Sequence, residues 1–191
     1  IEACNYVPTE LLCQGADNDS CLTAGQIESI RLIYSDHKTP VTLSRGAVGY
    51  PRYGRGGAST SDWQSYMFGT SFDAPDSFNH MAVTEAARLV EGNPSANILS
   101  HDPTQYQAQY ARLAEMIDGT APDISAFADN GGKLLIWYGL GDTCVSLYRT
   151  ADYFDTVKQR LGASKVQGFA RMVTSPSVSY THLTLPTKRI V

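Results

Sequence analysis

The chain has 191 residues, 42% of them apolar, and a formal net charge of −4. That is enough for one domain or a little more with a real core, while scattered Lys and Arg on an acidic chain argue against a nucleic-acid footprint. No apolar run reaches the length of a membrane span, so the partners expected are small neutral or organic molecules, with neither nucleic acid nor membrane among them.

The sequence opens on Ile1 with no initiator Met and no leader, which predicts a cut N-terminus, from processing or from an incomplete gene. Cys4, Cys13 and Cys21 follow in a C-x8-C-x7-C cluster among Asn, Asp, Pro and Gly, with Cys144 far off. Zinc sites pair cysteines at C-x2-4-C with His nearby, and neither feature is present. A disulfide in an oxidising compartment, secreted or periplasmic, fits better. Cys13 and Cys21 are the preferred internal pair, which leaves Cys4 for a partner outside the chain. Buried free thiols are the competing reading.

From Thr23 the pattern turns helical. Thr23 is placed to cap, Gln26 stands at the capping-box position, and Ile27, Ile30, Ile33 and Tyr34 make an apolar face. Residues 39–71 are rich in Gly, Pro, Ser and aromatics without a sustained period, as functional loops and lids are. Within them Trp63, Tyr66 and Phe68 offer the walls of a pocket for a flat or aromatic ligand, or else ordinary packing beneath a long loop. Residues 57–61, GASTS, resemble a serine nucleophile turn only superficially. The second glycine is missing and no strand leads in, so Ser59 is rejected as a nucleophile.

Residues 78–90 predict a helix. Asp102 and Pro103 open another at N-cap and N1, with Tyr106, Tyr110, Leu113 and Ile117 on one face and Gly119 as its stop; a Tyr stripe of this kind is more often core than site. Residues 122–128 suggest a short helix. Residues 133–138, KLLIWY, form a near-continuous apolar run between glycine-rich breakers, which predicts a strand buried on both faces of a parallel sheet. Asp142 then falls just beyond its carboxyl end, where open α/β sheets keep their working groups. The alternative there is an ordinary turn aspartate. Ser146 caps a helix carrying Ala151, Phe154, Val157 and Leu161 and stopped by Gly162, and residues 166–173 read as a further strand. Strand, acid-bearing turn, helix and strand make a βαβ unit, so the fold class is α/β.

After Pro176 the pattern loses both periods. Residues 178–187, VSYTHLTLPT, resemble the conceptual translation of a transposase-type sequencing adapter, so residues 178–191 are expected to be a non-native tail and His182 a false candidate for a catalytic base.

Three runs in one order, PDISAF at 122–127, GGKLL at 131–135 and YGLGD at 138–142, resemble the tannase and feruloyl esterase family of secreted serine esterases. A second match is Cys13 with Cys21-Leu22-Thr23 and Gln26 heading a helix. The resemblance implies the C-terminal part of an α/β-hydrolase core (residues 118–177) and part of its inserted, loop-rich lid (residues 1–117). It implies a Ser-Asp-His triad in which Asp142 is the acid, orienting the imidazole while the serine is acylated. The family's nucleophile turn would lie upstream of Ile1, and its His-Cys motif would follow Pro176, where the adapter-like segment stands. Tyr138 occupies a position where the family commonly has His, and Cys144 is expected to be a free thiol. A structural Ca2+ in the lid is implied as well, with the backbone carbonyl of Ile1 as its last ligand and the carboxylates missing. The expected activity is hydrolysis of feruloyl or galloyl-type aromatic-acid esters by the parent protein, with this chain inactive alone. The alternatives are a non-enzymatic, disulfide-stabilised extracellular binding module and an α/β-hydrolase of other specificity.

Overall fold

The computed structural model describes residues 7–43, 45, 47, 49–56, 63–70 and 76–175. Ile1, Cys4, Ser59, Pro176 and the segment containing His182 lie outside the described residues. A 3-10 turn, Pro8–Leu11, leads into the loop closed by the Cys13–Cys21 disulfide, so the expected internal pair forms. Helix α1, Ala24–Ile33, starts on a complete capping box: the Gln26 amide donates to Thr23 Oγ1 at 3.3 Å, and the Thr23 amide donates to Gln26 Oε1 at 2.8 Å. It buries Ile27 fully and Ile30, Ile33 and Tyr34 by half.

The glycine-rich stretch is less irregular than its composition suggests. Strand β1, His37–Lys38, pairs antiparallel with β2, Gly49–Tyr50, and Gln64–Phe68 forms one π-helical turn. Helix α2, Phe78–Glu91, is capped by Ser77 and closed by Gly92 in the left-handed region. The helix expected from Asp102 begins as a 3-10 turn, Pro103–Tyr106, and continues as α3, Gln107–Ile117. It stops two residues before Gly119, because Asp118 is extended and turns its carboxylate onto the Thr120 amide at 2.8 Å. Ile117, the last residue of α3, is exposed where the stripe predicts packing. Tyr106 and Tyr110 do pack inward, both against His101. That ring links the two helices: Nδ1 is 2.6 Å from Glu91 on α2 and Nε2 is 2.8 Å from the Tyr110 hydroxyl on α3.

The second half of the chain is the βαβ unit. Helix α4, Ser125–Asp129, precedes strand β3, Leu134–Gly139; helix α5, Leu147–Leu161, and helix α6, Ala163–Phe169, cross back to strand β4, Ala170–Ser175. Strands β3 and β4 are parallel, in register Leu134 with Ala170 through Gly139 with Ser175. The core is Val157, Val166, Phe169 and Ala170, with Ile124, Ala128, Leu134, Tyr153, Phe154 and Leu161 packed around it.

Two expectations are corrected here. Residues 166–173 are not one strand: Gly162, at φ 85°, ends α5 and starts the short helix α6, whose Val166 and Phe169 lie one turn apart on the core side. The strand begins only at Ala170. Strand β3 is also not buried on both faces. Exposure alternates along it, because α5 and α6 pack on one face while Leu135 (66% exposed) and Trp137 (39%) lie on the other, partly open face.

Candidate active site at the end of strand β3

Beyond Gly139 the chain turns sharply. The Leu140 amide donates to the Ser175 carbonyl at 3.0 Å, tying the turn to the end of β4, and the Asp142 amide donates back to the Gly139 carbonyl at 3.2 Å. These bonds place the Asp142 side chain just past the carboxyl ends of both parallel strands. Its Oδ1 accepts from the amides of Cys144 at 2.8 Å and Val145 at 3.3 Å. Among the described residues, Oδ2 takes no hydrogen bond. A half-buried carboxylate with one oxygen fixed by backbone and the other uncommitted is suited to orienting a partner that donates an N–H.

The surroundings are phenolic. Tyr138, on β3, is buried and donates its hydroxyl to the Val145 carbonyl at 2.5 Å, closing the loop over the acid. Burial, followed by the nearby Asp142 carboxylate, pushes the Tyr138 phenol far above its ordinary value. Tyr53 is pushed up to about 12 by burial, with Tyr50, Cys144 and Asp142 adding to it. The Cys144 thiol is raised by burial and then by Asp142, and it is free. At neutral pH these groups are therefore protonated and uncharged around the acid.

Ser146 is fully buried and caps α5 by accepting from the Tyr148 amide at 3.2 Å. Its hydroxyl donates to the Arg52 carbonyl at 2.5 Å, and its amide donates to the Tyr50 hydroxyl at 3.2 Å. Tyr53 reaches the Cys144 carbonyl at 3.5 Å. Residues 50–54 are thus bound to the acid-bearing turn. Gly54 is part of the fit, since a Cβ there would lie 3.1 Å from the Leu140 carbonyl oxygen.

The aromatic residues singled out in the sequence divide into two contacts. Trp63 packs between Tyr34 and Phe68, with ring centroids 5.7 Å from each, while Tyr66 turns to Phe78 at 5.1 Å. Tyr50, Arg52 and Tyr53 are not among the candidates that the sequence marks. They stand in a stretch without periodicity, and the signal they offered was two tyrosines three apart flanking Pro51 and Arg52. Among the described residues no group of three or more His, Cys, Asp or Glu gathers to hold a metal ion, and the carbonyl of Ile1 lies outside them.

A parallel βαβ unit with an acid on the turn after its first strand matches the arrangement in which open α/β sheets keep their working groups. The family model described as Tannase and feruloyl esterase matches residues 1–186, and the chain belongs to this family. Among curated relatives, it is 28% identical to an uncharacterized esterase of Agrobacterium fabrum, over 85% of this chain and 31% of that protein. It is likewise 28% identical to feruloyl esterase B of Aspergillus niger, over 84% of this chain and 29% of that protein. The crystal structure of feruloyl esterase B from Aspergillus oryzae superposes with a TM-score of 0.70 at 21% identity, covering 91% of this chain and 33% of that one. The fold is accordingly that of part of a feruloyl esterase-type α/β-hydrolase. The chain spans about 30% of the length of the curated relatives named here.

Proposed function

We propose that the protein containing this chain hydrolyses carboxylic esters of aromatic acids, of feruloyl or galloyl type, through a Ser-Asp-His triad in which Asp142 is the acid. Support comes from the family, from the feruloyl esterase among the relatives, and above all from one observation: Asp142 Oδ1 is held by the Cys144 and Val145 amides at the end of β3. In this reading Oδ2 accepts the N–H of an imidazole. The imidazole takes the proton of a serine hydroxyl as its oxygen attacks the ester carbonyl, and then returns that proton to the leaving alcohol. Asp142 holds the tautomer and stabilises the imidazolium. Water releases the aromatic acid by the same route.

The serine and histidine are assigned to sequence outside these 191 residues, and the chain alone is inactive because nucleophile and base account for most of the acceleration. Export to an oxidising compartment accords with the Cys13–Cys21 disulfide. The aromatic residues Trp63, Tyr66 and Phe68 remain part of the proposal as substrate contacts, and a structural Ca2+ in the parent lid, with Ile1 as one ligand, remains part of it too; no step runs through the metal.

The test is an assay of the parent protein and of the 191-residue chain on methyl ferulate, methyl gallate and methyl butyrate. The reading predicts turnover of at least one aromatic ester by the parent, in preference to the butyrate, and none by the short chain. Butyrate preference would remove the aromatic specificity, and turnover by the short chain would remove the divided triad.

A further inference from the structure

Ser146 stands four residues after Asp142, is fully buried, and makes three bonds with different consequences. Accepting from the Tyr148 amide at 3.2 Å starts α5. Donating to the Arg52 carbonyl at 2.5 Å and to the Tyr50 hydroxyl at 3.2 Å reaches across the chain to a segment more than ninety residues earlier. An N-cap serine needs only the first. The other two pin the far side of the loop whose near side carries Asp142, and the two amides that grip the carboxylate, those of Cys144 and Val145, lie between the two anchors.

The remaining contacts make residues 50–54 a stiff strut. Tyr50 is held in β2. The Arg52 amide donates to Asp36 Oδ1 at 3.0 Å, and the Arg52 guanidinium lies 4.2 Å from the centre of the Tyr148 ring on α5. The Tyr53 amide donates to the Ile33 carbonyl at the end of α1 at 3.2 Å. Displacing this segment by the length of a hydrogen bond would take the acceptors from the Ser146 amide and hydroxyl together, and buried donors left without acceptors are costly.

Resting on the assignment of Asp142 as the triad acid, we infer that Tyr50 and Ser146 are positioning residues for that acid. The Tyr50 hydroxyl and the Arg52 carbonyl hold Ser146, and Ser146 fixes the loop that aims the Asp142 carboxylate. Neither residue touches substrate. Their effect passes to the imidazole: a well-aimed carboxylate raises the basicity of its histidine, and one that is off line raises it less.

The experiment uses the full parent protein and compares wild type with Tyr50→Phe, Ser146→Ala, Ser146→Thr and Asp142→Asn. Tyr50→Phe keeps the ring and removes only the oxygen that accepts from Ser146. It is expected to melt somewhat below wild type, because the buried Ser146 amide loses its acceptor, to lose about tenfold in kcat with KM within about twofold, and to move the acidic limb of the kcat/KM profile down by about half a pH unit. Ser146→Ala is expected to do the same with a lowered Tm, and Ser146→Thr, which restores the hydroxyl, to recover the wild-type limb. A Tyr50→Phe protein with wild-type kcat and an unmoved acidic limb, alongside an Asp142→Asn protein that is dead, overturns the positioning role and leaves the acid assignment intact. An Asp142→Asn protein with wild-type activity overturns the assignment, and the inference falls with it. If the Ser146 variants change Tm alone, Ser146 is a helix cap and nothing more.

Discussion

Trp137 on β3 and Val173 on β4 are register partners in the parallel sheet, and both are exposed, at 39% and 43%. With Leu135 they form an apolar strip on the face opposite α5 and α6. The next strand position beside either edge is empty among the described residues, since the sheet there is two-stranded. An uncovered apolar face next to unpaired strand edges is the geometry that drives self-association.

The 191-residue chain, expressed alone, is therefore expected to associate. Its sedimentation coefficient should rise with concentration, and Leu135→Lys with Val173→Lys should reduce the effect without loss of helical signal. A monodisperse monomer across the concentration range would contradict this.

Cys144 is half-buried, and burial together with Asp142 raises its thiol above the ordinary value. Reactivity follows the thiolate fraction. Iodoacetamide at pH 7 should label Cys144 several-fold more slowly than free cysteine, with the rate climbing only as the solution is made alkaline. Rapid labelling at neutral pH would mean that the thiol is open and that Asp142 is turned away from it.

Asp123 accepts from the Ser125 hydroxyl at 2.6 Å and amide at 3.1 Å, with Arg160 also at 3.1 Å from its Oδ2. The Ser125 hydroxyl first, then that amide and the Arg160 pairing, hold the carboxyl below its usual range. A folded value below the unfolded one gives stability that is complete above about pH 4 and lost as pH falls through the folded value. Parent protein carrying Asp123→Asn should therefore melt below wild type at pH 6, with the gap closing under acid. A gap that is the same at pH 6 and about pH 2.5 would show that the ionised form is not what holds the turn.

The elements legible in the sequence are those whose information is local. The Thr23 capping box, the Ser146 cap, the Gly162 stop and the three-to-four spacing of Ala151, Phe154, Val157 and Leu161 are each read from a few neighbours, and each is present. The Cys13–Cys21 pair was also within reach, since the loop between them is short. The exposure of Leu135 and Trp137 was not legible, because a run such as LLIWY has the same composition whether a second layer covers it or not. Val166 fits a strand in the sequence because its helix has only seven residues, of which Val166 and Phe169 are buried, too few to declare a period. The strut at residues 50–54 was invisible for a third reason. Tyr50 and Arg52 act on Ser146 at separations of 96 and 94 residues, and nothing in the local pattern of either segment marks the other.

The most direct measurement is the kcat/KM of the full parent protein on methyl ferulate before and after Asp142→Asn. The carboxamide keeps the shape and can retain the bonds from the Cys144 and Val145 amides through its oxygen, but it cannot stabilise an imidazolium or hold the right tautomer. A loss of about 10⁴-fold in kcat with an unchanged Tm is the predicted result. Activity within about tenfold of wild type would contradict the account and return Asp142 to the role of a turn residue.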